Sequence, residues 1–414
     1  MNFIYNILLL FTDLLIKVGA LFNPKLKLFV EGRKDVFQKL SAAIKPSDKI
    51  IWFHAASLGE FEQGLPVMEG VKSLFPDYKI LVTFFSPSGF EVKKNHPLPD
   101  LITYLPLDAS KNAKTFVKLT KPSLVIFIKY EFWPNYLKFL KKEHIPVIAI
   151  ASIFRKEQLF FKWYGSFMRN RLKTIHHFFV QDENSKSLLK SIGIKEISLS
   201  GDTRFDRVVE ILERDNTLDF IEEFKKQQLC LVAGSTWPED EAALIAHIND
   251  SDRNVKYVIA PHTIKEDKIN KLKERITKST VLYSEMTPEL LVKAEVLIID
   301  TIGLLTKIYS YADIAYVGGG LGNTGLHNTL EPAVFGIPVI IGLHYDKFKE
   351  ARELVELGGI ISIESTKALQ QTLNMLFSDT DKRKTTGSIN ADYILKNRGA
   401  KVQILSFIRT LIEN

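Results

Sequence analysis

Short apolar runs alternate with helical segments along most of this chain. The first half contains the runs IIWFH, KILVTFF, LVIFIKY, IPVIAIAS and HHFFVQD, and the second half contains LCLVAGS, VKYVIAP, EVLIID, IAYVGGG and IPVIIG. Apolar runs of this length, bounded by turn residues, are typical of buried strands. Because most of them are followed by a helical pattern, they predict parallel sheets covered by helices, an α/β fold class.

The strand pattern pauses once, in the charged segment SGDTRFDRVVEILERDNTLDFIEEFKKQQ, and then resumes. A chain of 414 residues suits two domains of this type. We predict a Rossmann-like domain over residues 25–206, a linker over 207–220, and a second Rossmann-like domain over 221–414 that ends in a helix. Ligands of open α/β sheets bind beyond the carboxyl ends of the strands, so we expect the site in an inter-domain cleft.

Residues 1–24 are apolar over about one membrane thickness and predict a membrane-associating helix. They lack the basic start and the cleavage site of a signal peptide. Asn6, Asp13 and Lys17 fall on one helical face, which favours a helix in the membrane interface, or packed on the protein, over a spanning helix. Lysines and arginines follow at once, as on a cytoplasmic side. The alternative is an ordinary first helix of a soluble domain.

Charge is unevenly distributed: residues 1–200 carry 29 Lys/Arg and 17 Asp/Glu, whereas the remainder has a net charge of −5. The basic half is expected to meet an anionic partner. Residues 154–173 combine six Lys/Arg with six aromatic residues, which indicates a membrane surface or a phosphorylated lipid. A nucleic-acid surface and a core helix with solvated charges are the alternatives, but the apolar N-terminus favours lipid. The predicted contacts are Arg155, Lys156, Lys162, Trp163, Arg169 and Arg171.

The motif HAASLGE ends in Glu60, which follows a strand and begins a helix. A carboxylate there complements the helix dipole, which is the structural interpretation. The functional interpretation is a general base that faces the cleft and is kept ionised by the helix N-terminus. Glu131 follows the third strand and is likewise either a site carboxylate or a helix-start charge. Arg204 is predicted to clamp a phosphate or carboxylate, with an ion pair to Asp202 or Asp206 as the alternative.

The second half contains the glycine-rich segment YVGGGLGNTGLHNTLEPAVFGIPVIIG between a strand and a helix. Glycine amides and a helix start can bind a phosphate, and Glu331 can accept hydrogen bonds from ribose hydroxyls. The segment is neither a dinucleotide fingerprint nor a P-loop. The motif AGSTWPEDE predicts a second anion-binding turn, and the single Cys230 excludes an intrachain disulfide. We find no His/Cys spacing typical of a metal site.

Taken together, HAASLGE, KYEFWPN, SGDTRFD, AGSTWPEDE, DTIGLL and the glycine-rich segment resemble the 3-deoxy-D-manno-octulosonic acid (Kdo) transferases. The resemblance implies an inverting, metal-independent GT-B glycosyltransferase without a cofactor. It would move Kdo from CMP-Kdo onto a lipid A precursor (lipid IVA) in lipopolysaccharide biosynthesis, at the cytoplasmic face of the inner membrane and without nucleic acid as a partner. It assigns the base to Glu60 and support of the transition state to Glu131 and Arg204.

The resemblance also assigns donor contacts in the second domain. Together with the turn and glycine-loop predictions, the donor site comprises Ser235, Thr236, Pro261, His262, Ile302, Gly303, Leu304, Gly319, Gly320, Asn328, Thr329, Leu330 and Glu331. The chain has Pro-His-Thr where the family usually has Pro-Arg-His, so an arginine contact has no counterpart. A nucleotide-sugar epimerase on the same double-Rossmann plan and a silent nucleotide-binding module are the rival interpretations.

Overall fold

The computed structural model describes residues 2–413, which form two compact units. The first unit runs to Asp206 and also includes the segment from Arg398 onward, and the second is Arg207–Asn397. Each unit contains one parallel seven-stranded sheet. The α/β fold class with two Rossmann-like units is confirmed.

In the first sheet the strand order is β3-β2-β1-β4-β5-β6-β7, so β1 lies near the centre, between β2 and β4. His54 of β1 therefore lies beside Thr83 and Phe127. The strands are β1 Lys49–Ala55, β2 Tyr78–Phe84, β3 Leu101–Tyr104, β4 Leu124–Ile128, β5 Val147–Ser152, β6 His177–Val180 and β7 Ile197–Leu199.

Helices cover both faces of this sheet, and the strands are apolar on both sides because neither face meets water. The helices are α1 Asn2–Gly19, α2 Pro24–Glu31, α3 Val36–Ala43, α4 Leu58–Leu74, α5 Pro87–Lys93, α6 Ser110–Thr120, α7 Pro134–Lys142, α8 Ser166–Leu172, α9 Glu183–Ser191 and α10 Thr203–Leu212.

The second sheet has the order β10-β11-β9-β8-β12-β13-β14 and is also parallel throughout. Its strands are β8 Leu229–Thr236, β9 Val255–Pro261, β10 Thr280–Leu282, β11 Val296–Ile298, β12 Ile314–Val317, β13 Val339–Gly342 and β14 Ile360–Ile363. The remaining helices are α11 Asp219–Lys225, α12 Pro238–Asp250, α13 Glu266–Glu274, α14 Pro288–Lys293, α15 Leu305–Ile308, α16 Leu330–Ala333, α17 Lys349–Leu357, α18 Thr366–Ser378, α19 Thr380–Asn397 and α20 Ala400–Glu413.

Two of the predicted domain boundaries are wrong. Residues 207–220 are not simply a linker, because α10 continues through them to Leu212 as part of the second unit. The chain end does not belong to the second unit, because α20 packs on α4 of the first, where Ile404 and Ile408 are fully buried. Burial of each such side chain contributes about 2 kcal/mol, which fixes the helix there.

Helix α1 is shorter than the predicted residues 1–24 and carries an unusual number of exposed apolar side chains. Leu8, Phe11 and Leu15 are 60–70% exposed on it, and Phe22 in the following turn is 84% exposed. The polar face has the predicted composition, since Asp13 and Lys17 form an ion pair of 2.7 Å. Among the described residues, no helix is both long enough and apolar enough to cross a bilayer.

Candidate active site

Glu60 lies in the first turn of α4, just beyond the carboxyl end of β1. Helix α4 begins at Leu58 after the N-cap Ser57, so Glu60 occupies the third helical position. Its side chain turns back and accepts a short hydrogen bond from the backbone N–H of Ala56. Glu60 therefore lies in the first turn of a helix, as the structural interpretation expects. The hydrogen bond from Ala56 fixes the direction of its carboxylate.

The environment of Glu60 raises its pKa to about 7. Burial is the main cause, and the nearby charge of Glu131 adds to it, while hydrogen bonding to Ala56 opposes both. The side chain is only 5% exposed, which differs from the predicted exposed base, and burial raises its pKa where the helix N-terminus was expected to keep it ionised. A carboxylate with a pKa near the working pH is nevertheless suited to general-base catalysis.

Glu131 lies in the loop between β4 and α7, three residues before that helix begins, so it is not a helix-start charge. The loop opens with Lys129 in a left-handed conformation (φ 64°). Trp133 at the end of the loop donates its ring N–H to Nε2 of His54 at 3.0 Å. Burial lowers the pKa of His54 to about 3, so this ring is a neutral acceptor. Burial also raises the pKa of Glu131.

Arg204 is held by Asp202, which makes the predicted alternative of an ion pair correct. Arg204 Nη2 lies 2.8 Å from Asp202 Oδ2, and Nε donates to the same oxygen at 2.9 Å. Gln63, one turn after Glu60 on α4, donates to both oxygens of Asp202 at 3.1 Å. Although burial raises the pKa of Asp202, the charge of Arg204 and these hydrogen bonds outweigh it and lower the pKa. The SGDTRFD motif is thereby attached to the helix that carries Glu60.

In the second unit, Ser235 and Thr236 end strand β8 at a bulge. Ser235 has a left-handed backbone (φ 53°), and the register to β9 shifts between Gly234 and Thr236. Strained backbone of this kind is concentrated at functional sites. Thr236 is buried, and its carbonyl accepts the N–H of His262 at 2.9 Å, which joins the two predicted turns.

Asp240, which the sequence analysis did not single out, organises this turn. One of its oxygens accepts the backbone N–H groups of Trp237 and Gly319 at 2.9 and 2.8 Å. The other accepts the hydroxyl of Tyr316 at 2.6 Å. The first helical turn after Trp237 is rich in acids, and this capping signature is the signal that would have identified Asp240.

Three aromatic rings lie together beside the turn, and only His262 was predicted. Trp237 stacks on His262 with centroids 4.4 Å apart, and the two histidine rings of His262 and His327 are 4.6 Å apart. Trp237 donates its ring N–H to Nε2 of His327 at 3.0 Å. Burial and the neighbouring His262 lower the pKa of His327. The rings come from segments distant in sequence, so their proximity depends on the order of the strands.

In the glycine-rich segment, close backbone packing requires glycine at Gly318, Gly319 and Gly342. A Cβ atom on Gly318 or Gly319 would lie 2.4 or 2.1 Å from a backbone oxygen, and one on Gly342 would lie 2.1 Å from the backbone of Gly320. The N–H of Gly319 already binds Asp240. The Gly319 amide is thus already paired, and contacts of Gly319 and Gly320 with the donor stay predictions.

Glu331 lies in α16, a helix of only four residues that begins at Leu330. Its two oxygens accept hydrogen bonds from Asn328 at 3.0 Å and from Thr306 at 3.1 Å. Thr329 and Leu330 are buried and support the turn rather than line a surface.

The remaining predicted donor residues lie at neighbouring strand ends of the second sheet. Pro261 ends β9 and is buried. After β11, Ile302 is 87% exposed and Gly303 has a φ of 94° with open space around its Cα. Leu304 forms the N-cap of α15. The exposed Ile302–Leu304 turn is thus accessible to a ligand, as the prediction requires.

The basic and aromatic stretch 154–173 is partly a structural unit. Arg169 donates to the carbonyl oxygens of Phe160 and Lys162 at 3.2 and 2.6 Å, which closes the loop before α8. Trp163 at its tip is 89% exposed. Arg155, Lys156 and Lys162 lie at or beside the exposed surface of this loop. Arg171 lies in α8, where burial lowers its pKa and the charge of Asp108 opposes that effect.

The two Rossmann-like units have the GT-B architecture, which defines the fold and not the reaction. Residues 32–207 match the family described as 3-deoxy-D-manno-octulosonic-acid transferase (kdotransferase). A 3-deoxy-D-manno-octulosonic acid transferase of Aquifex aeolicus is 30% identical over 333 residues, covering 80% of this chain and 85% of that protein. The chain belongs to this family.

A second relative is similar in sequence, whereas a solved structure of another enzyme is similar in fold only. The 3-deoxy-D-manno-octulosonic acid transferase of Haemophilus influenzae is 29% identical over 385 residues, covering 89% of this chain and 88% of the relative. The crystal structure of UDP-GlcNAc 2-epimerase from Neisseria meningitidis bound to UDP-GlcNAc superposes with a TM-score of 0.60 at 16% identity. It covers 89% of this chain and 100% of its own, and shows a shared fold alone. Family membership favours the transferase over the predicted epimerase alternative.

Proposed function

We propose that this protein transfers Kdo from CMP-Kdo to a hydroxyl of a lipid A precursor of the lipid IVA type, with inversion at the anomeric carbon. The observation that carries the proposal is Glu60, a buried carboxylate fixed in the first turn of α4, just beyond β1, with a pKa of about 7. Family membership supports the donor and the sugar.

In the proposed step, the acceptor oxygen attacks the anomeric carbon and its proton passes to Glu60. The bond from the anomeric carbon to the CMP phosphate oxygen breaks, and CMP leaves with the electron pair. A single displacement inverts the configuration. Glu131 stabilises positive charge that develops on the sugar ring, and it also keeps the pKa of Glu60 high.

The donor site of this proposal is the set of strand ends in the second unit. The bulge at Ser235 and the Ile302–Leu304 turn receive the CMP phosphate and base, and Glu331 receives the ribose hydroxyls. Arg204 supplies positive charge to the departing phosphate, although it shares that charge with Asp202. No step of this proposal requires a metal ion or a cofactor.

We further propose that the protein works on an anionic membrane surface, at the cytoplasmic face of the inner membrane. The exposed apolar side chains of α1 and the tip residue Trp163 would enter the interface. A pocket between α1 and α2, lined by Lys17, Lys27 and Lys34 together with Glu31, would lie at headgroup depth.

The test is mass spectrometry of a tetra-acylated, bis-phosphorylated lipid A precursor after incubation with the protein and CMP-Kdo. A gain of one or more Kdo masses is the expected result, and the number of additions is read directly. Glu60→Gln should give no gain. Glu62→Gln is the matched control, because Glu62 lies on the same helix but pairs with Lys93 at 2.8 Å. No gain with the unaltered protein would refute the proposal.

A further inference from the structure

Helix α1 contacts the rest of the first unit through a partly buried polar cluster, which we call the α1 hub and define as Tyr5, Asn6, Asp108 and Asn135. The hydroxyl of Tyr5 donates to Asp108 Oδ2 at 2.8 Å. Asn6 Oδ1 accepts from the side-chain amide of Asn135 at 3.0 Å. The face of α1 opposite these contacts carries the exposed apolar side chains, so the helix has one polar attachment and one apolar surface.

Asp108 is the centre of the hub. It is 1% exposed and lies in the loop between β3 and α6. Its carboxylate also accepts the backbone N–H groups of Asn135 and Tyr136, both at 3.0 Å. These are among the first N–H groups of α7, which begins at Pro134 and has no side-chain cap of its own at Trp133. Asp108 therefore supplies the missing cap from another element.

The start of α7 is also the end of the loop that carries Glu131. Only Phe132 and Trp133 separate Glu131 from Pro134. The loop is held on one side by the hydrogen bond from Trp133 to His54. It is held on the other side by the cap that Asp108 provides, and Tyr5 of α1 shares that carboxylate. A shift at the hub would thus be transmitted to Glu131 over a few bonds.

We propose that α1 is part of the support of the catalytic loop, and that Tyr5, Asn6 and Asp108 are positioning residues for the transfer reaction. Seating of α1 on the first unit fixes the α7 cap, and the cap fixes Glu131. The helix thereby has a role in turnover even where no membrane is present. This inference rests on the proposed roles of Glu60 and Glu131.

The electrostatics of the hub agree with this role. Burial raises the pKa of Asp108 to about 7, while its hydrogen bonds from Asn135, Tyr5 and Tyr136 oppose that effect. Loss of the Tyr5 hydroxyl would leave this buried carboxylate with one donor fewer. The ring of Tyr5 also lies 5.7 Å from that of Phe167, so Tyr5→Phe keeps the packing and removes only the hydrogen bond.

The first experiment compares Tyr5→Phe with Tyr393→Phe, using CMP-Kdo and a deacylated, water-soluble acceptor in detergent without vesicles. Tyr393 is the matched control, because its hydroxyl also donates to a carboxylate, Glu353, within the second unit. We expect Tyr5→Phe to lower kcat about tenfold with the KM for CMP-Kdo unchanged, since one charge-assisted hydrogen bond is lost. Tyr393→Phe should retain kcat. Equal kcat in the two variants would overturn the inference.

A second pair of variants separates positioning from folding. Asp108→Asn keeps an oxygen that can accept an N–H group of α7, whereas Asp108→Ala does not. We expect Asp108→Asn to recover part of the kcat that Asp108→Ala loses. Equal kcat in these two, at equal thermal midpoints, would contradict the capping role.

Hydrogen exchange keeps this test independent of the proposed reaction. In Tyr5→Phe, the backbone amides of residues 129–133 and 135–137 should exchange faster than in the unaltered protein or in Tyr393→Phe. If the unaltered protein makes no product, the proposed function fails, yet faster exchange in Tyr5→Phe would still support the link from α1 to the loop. Unchanged exchange in an active protein would refute the link alone.

Discussion

Replacing Glu60 by glutamine should abolish transfer and, at the same time, stabilise the folded protein at alkaline pH. The pKa of Glu60 is raised from 4.5 to about 7, mainly by burial and then by the charge of Glu131. A carboxyl whose pKa is higher in the folded than in the unfolded state favours folding when protonated. The resulting loss of stability is absent below about pH 4.5 and complete above about pH 7.

The raised pKa of Glu60 corresponds to a loss of at most roughly 3 kcal/mol in the free energy of unfolding when the carboxyl is ionised. Glu60→Gln removes this unfavourable term and keeps an oxygen that can accept the Ala56 N–H. Urea unfolding should therefore show the variant to be more stable than the unaltered protein at pH 8 and nearly equal to it at pH 5. A variant that is less stable at pH 8 would refute the burial argument.

The same pKa sets the pH dependence of catalysis. Only the carboxylate form can accept a proton, and about a tenth of Glu60 is ionised at pH 6 but about nine-tenths at pH 8. The rate at saturating substrate should rise about tenfold between these values. Glu131→Gln should move the midpoint to lower pH, though not to 4.5, because burial remains. A flat profile between pH 6 and 8 would exclude Glu60 as the base.

Three further predictions concern other parts of the molecule. Arg204→Met should lower the free energy of unfolding in urea by about 2 kcal/mol, because Asp202 is left buried without its cation. Adding Asp202→Asn should recover part of this loss, and no recovery would contradict the pairing. Asp240→Ala should weaken CMP binding about tenfold in calorimetry, because the N–H groups of Trp237 and Gly319 lose their acceptor. The control Asp250→Ala, at the far end of α12, should keep the affinity, and equal affinities of the two variants would contradict the role of Asp240. Phe11→Ser should reduce flotation with anionic vesicles about tenfold. The control Val402→Ser, at a residue that is 70% exposed on α20, should not reduce it, and equal partitioning of the two variants would refute membrane binding by the apolar face of α1.

The hydrophobic pattern predicted the ten inner strands of the two sheets but missed four others. The missed strands are β3, β7, β10 and β14, which are the edge strands of the two sheets. Length does not set them apart, because the predicted inner strands β6, β11, β12 and β13 are also three or four residues long. An edge position needs less continuous apolar sequence than a strand covered on both sides, so the apolar signal of the edge strands is too weak to separate from a loop.

For the candidate site, the sequence predicted positions better than environments. The strand-turn-helix pattern placed Glu60 at a strand end, and the structure agrees. Its raised pKa and the closeness of Glu131 depend on burial and on the adjacency of β1 and β4, whose sequences are far apart. The group of Trp237, His262 and His327 was missed for the same reason, because β8 pairs with both β9 and β12.

The sequence by itself determined the α/β class, the two Rossmann-like units, the family and the strand ends where the polar residues gather. These are local properties, since apolar periodicity and turn residues act over a few positions. The tertiary structure decided that α20 returns to the first unit, that Gly318 and Gly319 are closely packed against backbone, and that α1 is attached through Asp108. Each of these features is a contact between segments that are distant in sequence. Such contacts are stabilised by burial and by buried hydrogen bonds, which exist only in the folded chain.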